Sequence, residues 1–170
     1  MKKVLIFGIG GFVGSYLARE FLNCGYAVCG SDKVKSDILP AEVQFQEADL
    51  LIAEQVMDLM QKDSPDIVVN LAAISSVGAS WNIPQATISV NVVGALNIME
   101  AARKCAAMPK VMFIGSSEEY AASDTPITEK TSLDANNPYG ISKMTQERFA
   151  QVYRERYGMK IYCVRPFNHT

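Results

Sequence analysis

The 170 residues amount to about one domain's worth of chain, and a hydrophobic fraction of 49% is enough for a sizeable core. The net charge is −2 with no run of like charges, which argues against a nucleic-acid surface, since such surfaces show as basic domains. No apolar stretch is long enough to span a bilayer. The opening Met1-Lys2-Lys3 followed by Val4 to Phe7 has the outline of a secretory leader. Gly8, Gly10, Gly11 and Gly14 interrupt it where the apolar region should continue, so a cytoplasmic protein is expected. Cys24, Cys29, Cys105 and Cys163 are widely spaced and form no CxxC pair, which reads as reduced core thiols. The only histidine is His169. A Ser-His-Asp triad or a metal site is therefore not expected.

In chain order, short β-rich runs alternate with longer amphipathic segments. Residues 3–7 predict a buried strand, 11–23 a helix and 27–30 a second strand. Residues 43–46 predict a short strand and 53–61 a helix. A strand is expected at 67–70, one long helix at 84–104, a strand at 111–114, a helix at 139–157 and a last strand at 161–164. Val-Leu-Ile-Phe and Ile-Val-Val are apolar on both faces, as in a parallel sheet covered on both sides. Repeated βαβ units imply an α/β fold with a doubly wound parallel sheet of the Rossmann kind. No repeat, low-complexity tract or linker divides the chain, so residues 1–170 read as one NAD(P)-binding domain.

Ligands in such sheets bind beyond the carboxyl ends of the strands. The loops there carry Gly8, Gly11 and Gly14, then Asp32, Asp49, Asn70 to Ala73 with Ser75 and Ser76, Gly115 to Glu118, and Arg165 to Asn168. The first loop, Gly8-Ile9-Gly10-Gly11-Phe12-Val13-Gly14, follows a strand and opens a helix. That context lets a backbone approach a pyrophosphate, with free N–H groups facing it. Asp32 ends the second strand, where a carboxylate accepts from ribose hydroxyls and repels a 2′-phosphate. NAD is therefore favoured over NADP, with Lys33 and Lys35 close enough to leave the choice open. Asn137-Pro138 suits a helix start, and Tyr139 and Lys143 follow at i and i+4 on one face. An ammonium beside the phenol is expected to lower its pKa for proton transfer, with Ser116 holding a substrate oxygen. Alternatively, Tyr139 is a half-buried core residue and Lys143 a solvated partner of Glu147.

Together, GxxGxxG, the following Asp, Asn-Leu-Ala-Ala, Ser116 and the YxxxK run resemble the extended short-chain dehydrogenase/reductases, the NAD-dependent epimerase/dehydratase group. Phe7 departs from the Thr or Ser usual before the first glycine. The resemblance implies an NAD(P) enzyme of nucleotide sugars, with cofactor contacts at Gly8, Gly11, Phe12, Val13, Gly14, Asp32, Asp49, Leu50, Leu71, Ala72, Ala73, Tyr139, Lys143 and Pro166. Ser116, Tyr139, Lys143 and Glu118 are implied as catalytic, and Ser75, Ser76, Ser117 and Asn168 as substrate contacts. Residues 70–81 and 165–170 resemble GDP-4-dehydro-6-deoxy-D-mannose reductases, which implies reduction of a 4-keto group. Ser116-Ser117-Glu118 also resembles the Thr-Ser-Glu of GDP-mannose 4,6-dehydratases, where the Glu is the acid/base at C5 and C6, and that activity is the alternative. A non-catalytic NAD(P) sensor on this fold commonly lacks the Tyr or the Lys, and both are present here. The family also implies a homodimer through a four-helix bundle. It implies a further C-terminal portion that closes over the substrate, which these residues do not contain.

Overall fold

The computed structural model describes residues 1–167. Six strands form one parallel sheet: β1 (Lys3–Phe7), β2 (Ala27–Asp32), β3 (Gln44–Glu47), β4 (Ile67–Asn70), β5 (Lys110–Ile114) and β6 (Ile161–Val164), in the order β3-β2-β1-β4-β5-β6. All five pairings are parallel. The alternation along β1 shows why its sequence is apolar throughout. Leu5 and Phe7 point into one core with Val68, Val111 and Phe113, while Val4 and Ile6 point into the other with Ile9, Val28 and Val69. Helix α1 (Phe12–Asn23) covers the second core through Leu17, Ala18, Phe21 and Leu22. The first core is covered by α2 (Ala53–Asp63), by Ala95 to Ala102 and by Ala150.

The expected long helix over 84–104 forms as one run from Pro84 to Arg103 with a π turn inside it. Two short helices, α3 (Val77–Asn82) and α4 (Pro84–Ile88), lead into a π turn at Ser89–Val93, and α5 (Gly94–Arg103) follows. Helix α3 is not among the elements that the sequence predicts. Ser76 supplies the missing signal by capping α3, its Oγ accepting from Ala79 N at 3.1 Å. The wide π turn costs some ladder geometry, and Asn91 offsets it with bonds outside the helix. Its Oδ1 accepts from Ile74 N at 2.8 Å, and its Nδ2 donates to Ile74 O at 3.1 Å and Ser142 Oγ at 2.8 Å.

The last helix, α6 (Pro138–Tyr157), begins as its sequence predicts. Asn137 Oδ1 accepts from Gly140 N at 2.8 Å, and Pro138 occupies the first turn, where a missing N–H costs nothing. Gly158 ends it at φ +66°, its amide bonded to Arg154 O.

Candidate active site

The strand order reverses between β1 and β4, and their ends diverge into a crevice. A cleft of about 240 Å³ opens there, and its walls include Gly8, Gly11, Asp32, Asp49, Leu50 and Leu71 to Ala73. These are eight of the expected cofactor residues. Lys33, which was expected near the ribose, also lines it, and Phe7, Ser31, Ala48, Leu51 and Val90 complete the lining without having been named as contacts. Gly8 has φ +76°, and a Cβ there would stand 2.4 Å from Ala72 N. A Cβ on Gly14 would stand 2.0 Å from Ile9 O, so only glycine lets the helix start this close to the strand. No side chain caps α1 and no acid lies in its first turn, where Phe12 and Val13 are exposed. The N–H groups of that turn are therefore available to an anion.

Asp32 closes this end of the cleft. Its Oδ2 accepts from Gly10 N at 2.9 Å and its Oδ1 from Lys33 N at 2.8 Å. Lys33 is not free for a phosphate, because its Nζ lies 2.8 Å from Asp49 Oδ2. That contact, helped by the Leu51 amide, holds the Asp49 carboxyl below its usual range. Lys35 is exposed. A group with two phosphates and ribose hydroxyls suits these residues: bare amides at the helix start, a cradle that a Cβ would fill, and a carboxylate at the far wall.

At the carboxyl end of β5 the predicted trio comes together, and all three side chains are buried: Ser116, Tyr139 and Lys143. Lys143 Nζ donates to Ile114 O at 2.7 Å and lies 5.9 Å from the Tyr139 ring centre. It does not pair with Glu147, whose carboxylate is held by Arg165. The expectation of a lowered phenol pKa is corrected. Burial raises Tyr139 above its ordinary value, against an opposing hydrogen bond with Ser116. Burial also pushes the neighbouring Lys143 down, to about 8.

The remaining expected residues are spread around this centre. Glu118 is exposed at the rim, where its Oε2 accepts from Asn137 Nδ2 at 2.8 Å and its amide donates to Ser116 Oγ at 3.1 Å. Ser117 N donates to Pro166 O at 3.1 Å. Ser75 and Ser76 are exposed on the loop after β4, Ser76 being occupied as the cap of α3. Asn168 lies outside the described residues. Ser80 was missed: its Oγ accepts from Tyr139 N at 3.2 Å. Asn91 reaches Tyr139 through Ser142, whose Oγ donates to Tyr139 O at 2.6 Å. Glu119 was missed as well, and it is fully buried beneath Ser116. Nothing local marks Ser80 and Asn91, whose partners lie far along the chain, whereas Glu119 closes a Ser-x-x-Glu capping box with Ser116, a short-range pattern.

This sheet order, the glycine-lined crevice and the Ser-Tyr-Lys cluster define an extended short-chain dehydrogenase/reductase fold. The chain belongs to the GDP-mannose 4,6 dehydratase family, whose model matches residues 5–170. It is 32% identical over 186 residues to the GDP-mannose 4,6-dehydratase of Yersinia enterocolitica, covering 99% of this chain and 50% of that protein. It is 31% identical over 156 residues to the UDP-glucose 4-epimerase of Bacillus subtilis, covering 85% of this chain and 46% of that protein. Among solved structures, the UDP-glucose 4-epimerase of Brucella ovis in complex with NAD superposes with a TM-score of 0.93 at 30% identity, over 99% of this chain and 52% of that one. The chain thus spans about half the length of the relatives it matches. These relatives carry dehydratase and epimerase names, so the expected reductase draws no specific support from them.

Proposed function

We propose that this chain forms the dinucleotide-binding side of an NAD-dependent enzyme acting at C4 of a nucleotide sugar, with GDP-mannose 4,6-dehydration as the favoured activity. The observation that carries this reading is the burial of Ser116, Tyr139 and Lys143 together at the end of β5, with Glu118 at the rim two residues after the serine. Gly8, Gly11 and the first turn of α1 hold the pyrophosphate, Asp32 holds ribose hydroxyls, and Asp49 and Leu50 continue the wall. When bound, the dinucleotide takes a hydride from the sugar carbon and returns one later in the cycle. Tyr139 would remove the proton of the C4 hydroxyl as C4 becomes the carbonyl that the dehydration product retains, Ser116 would hydrogen-bond that oxygen, and Lys143 would hold the nicotinamide ribose and support the phenol's charge. Glu118 carries the proton of the C5 and C6 steps, as its resemblance to the dehydratases implies.

Three incubations test this with the full-length protein. GDP-mannose with catalytic NAD should lose one water and leave no net NADH. Interconversion of UDP-glucose and its C4 epimer instead would establish an epimerase. NADH consumption with a 4-keto-6-deoxy GDP-sugar would establish the reductase, a reading that rests on the Arg165-Pro166-Phe167 run. Cofactor binding without turnover of any of the three would overturn the enzyme reading in favour of a sensor.

We also propose that the protein is a homodimer through α4, α5 and α6. Ile88, Val93, Phe149 and Val152 remain exposed on these helices, and an apolar groove runs along α6 from Met144 to Val152. Val92 and Met99 of the same helical run face the core. Light scattering should give a dimer mass, and a monomer at high concentration would refute it.

A further inference from the structure

The turn bearing Ser116 is held from below by a carboxylate that the proposed chemistry does not use. Glu119 ends a 3-10 turn at Ser117–Glu119 and is completely buried. Its Oε1 accepts from Ser116 N at 2.7 Å, while Ser116 Oγ accepts from Glu118 N at 3.1 Å, so the turn is closed reciprocally. Its Oε2 has no hydrogen-bond partner. The nearest cation is Arg165, with Nε at 3.8 Å, but that guanidinium is committed elsewhere. It meets Glu147 through two nitrogens and donates to the Tyr120 hydroxyl at 3.2 Å. Gly115 makes room for this acid, since a Cβ there would stand 2.3 Å from Glu119 Oε1. Burying a carboxylate costs several kcal/mol, and a Leu or Met of similar volume would fill the space without that cost. A carboxyl group buried at this position therefore acts through what it touches.

We propose that Glu119 is a positioning residue of the site, locking the turn that bears Ser116 onto the helix that bears Tyr139 and Lys143 by way of Arg165 and Glu147. This rests on the reading of Ser116, Tyr139 and Lys143 as the working groups. The groups that face Glu119 are Tyr139, Lys143 and Glu147 from α6, Cys163 of β6, Arg165 beyond it, and Glu118 and Tyr120 beside it in the chain. Burial first, and the Glu147 charge in addition, push the Glu119 carboxyl up to about 7, against the Ser116 amide and Arg165. Its negative form in turn raises both Lys143 and Tyr139. Removing the charge lowers both.

Two variants of the full-length protein test this. Glu119→Leu removes the acceptor and the charge, and should lower kcat about tenfold or more with little change in the KM for NAD, because small misplacements of reacting groups are expensive. Glu119→Gln keeps an oxygen for the Ser116 amide, so it should lose less kcat. It should also move the alkaline limb of the kcat–pH profile to lower pH, since the charge supporting the Lys143 ammonium is gone. A folded Glu119→Leu variant with the parent's kcat overturns the proposal. If that variant does not fold, the Gln variant decides: a shifted limb supports the proposal and an unmoved limb overturns it. Tyr139→Phe run in parallel separates the two layers. Normal turnover there sinks the reading of the site, whereas its loss beside an unaffected Glu119→Leu sinks only the role of Glu119.

Discussion

Tyr139→Phe should remove most of the turnover and leave dinucleotide binding nearly intact. The side chain is 8% exposed, and Phe fills the same space without the oxygen, so packing is preserved while the proton carrier is lost. Lys143 keeps its bond to Ile114 O, and the cleft walls are untouched. General acid–base groups contribute about 10²–10⁴-fold, and a loss of that size in kcat is expected. Steady-state kinetics in the full-length protein, beside NADH fluorescence titration, measures both quantities. A Phe variant with a near-normal rate would remove Tyr139 as the proton carrier. Burial raises the phenol, and the Ser116 hydrogen bond opposes it by favouring the charged form.

Asp32 is the second position where a single change should show strongly. The parent protein should bind NAD(H) more tightly than NADP(H), because a 2′-phosphate meets this carboxylate, and Lys33 beside it is occupied by Asp49. Asp32→Ala should lower NAD affinity about tenfold or more. The variant loses charge-assisted bonds to the ribose worth about 1.5–3 kcal/mol, and it also leaves the Gly10 and Lys33 amides without their acceptor. The preference against NADP should narrow at the same time. Parallel titrations of the two cofactors against both proteins check this. Equal or tighter NADP(H) binding by the parent would transfer the control of specificity to Lys33 and Lys35.

Much of the frame was legible in the chain because the signals are local. The unbroken apolar run of β1 announces a strand buried on both faces, and Asn137-Pro138 with Gly158 brackets α6 by capping chemistry that acts within one turn. The glycine loop and the i, i+4 spacing of Tyr139 and Lys143 are likewise short-range patterns, and the fold placed them at the crevice and beside β5 as expected. The family followed from these motifs together, while the particular sugar chemistry did not, since Glu118 and the Arg165 run resemble different members.

Tertiary structure decided what depends on distant partners. The helix expected over 84–104 runs through but widens into a π turn at Ser89–Val93, where Asn91 bonds to Ile74 and Ser142, neither of them a neighbour in its own helix. The phenol's pKa rises rather than falls because burial, which sequence spacing does not reveal, outweighs the Ser116 hydrogen bond. Glu118 and Glu119 are adjacent and chemically identical, yet one is exposed at the rim and the other has no exposure at all. The difference arises where the turn after β5 meets Arg165 and Glu147. The Ser-x-x-Glu spacing marks Glu119 as the partner of Ser116, but its burial comes from the packing, and desolvation is what separates the chemistry of the two carboxylates.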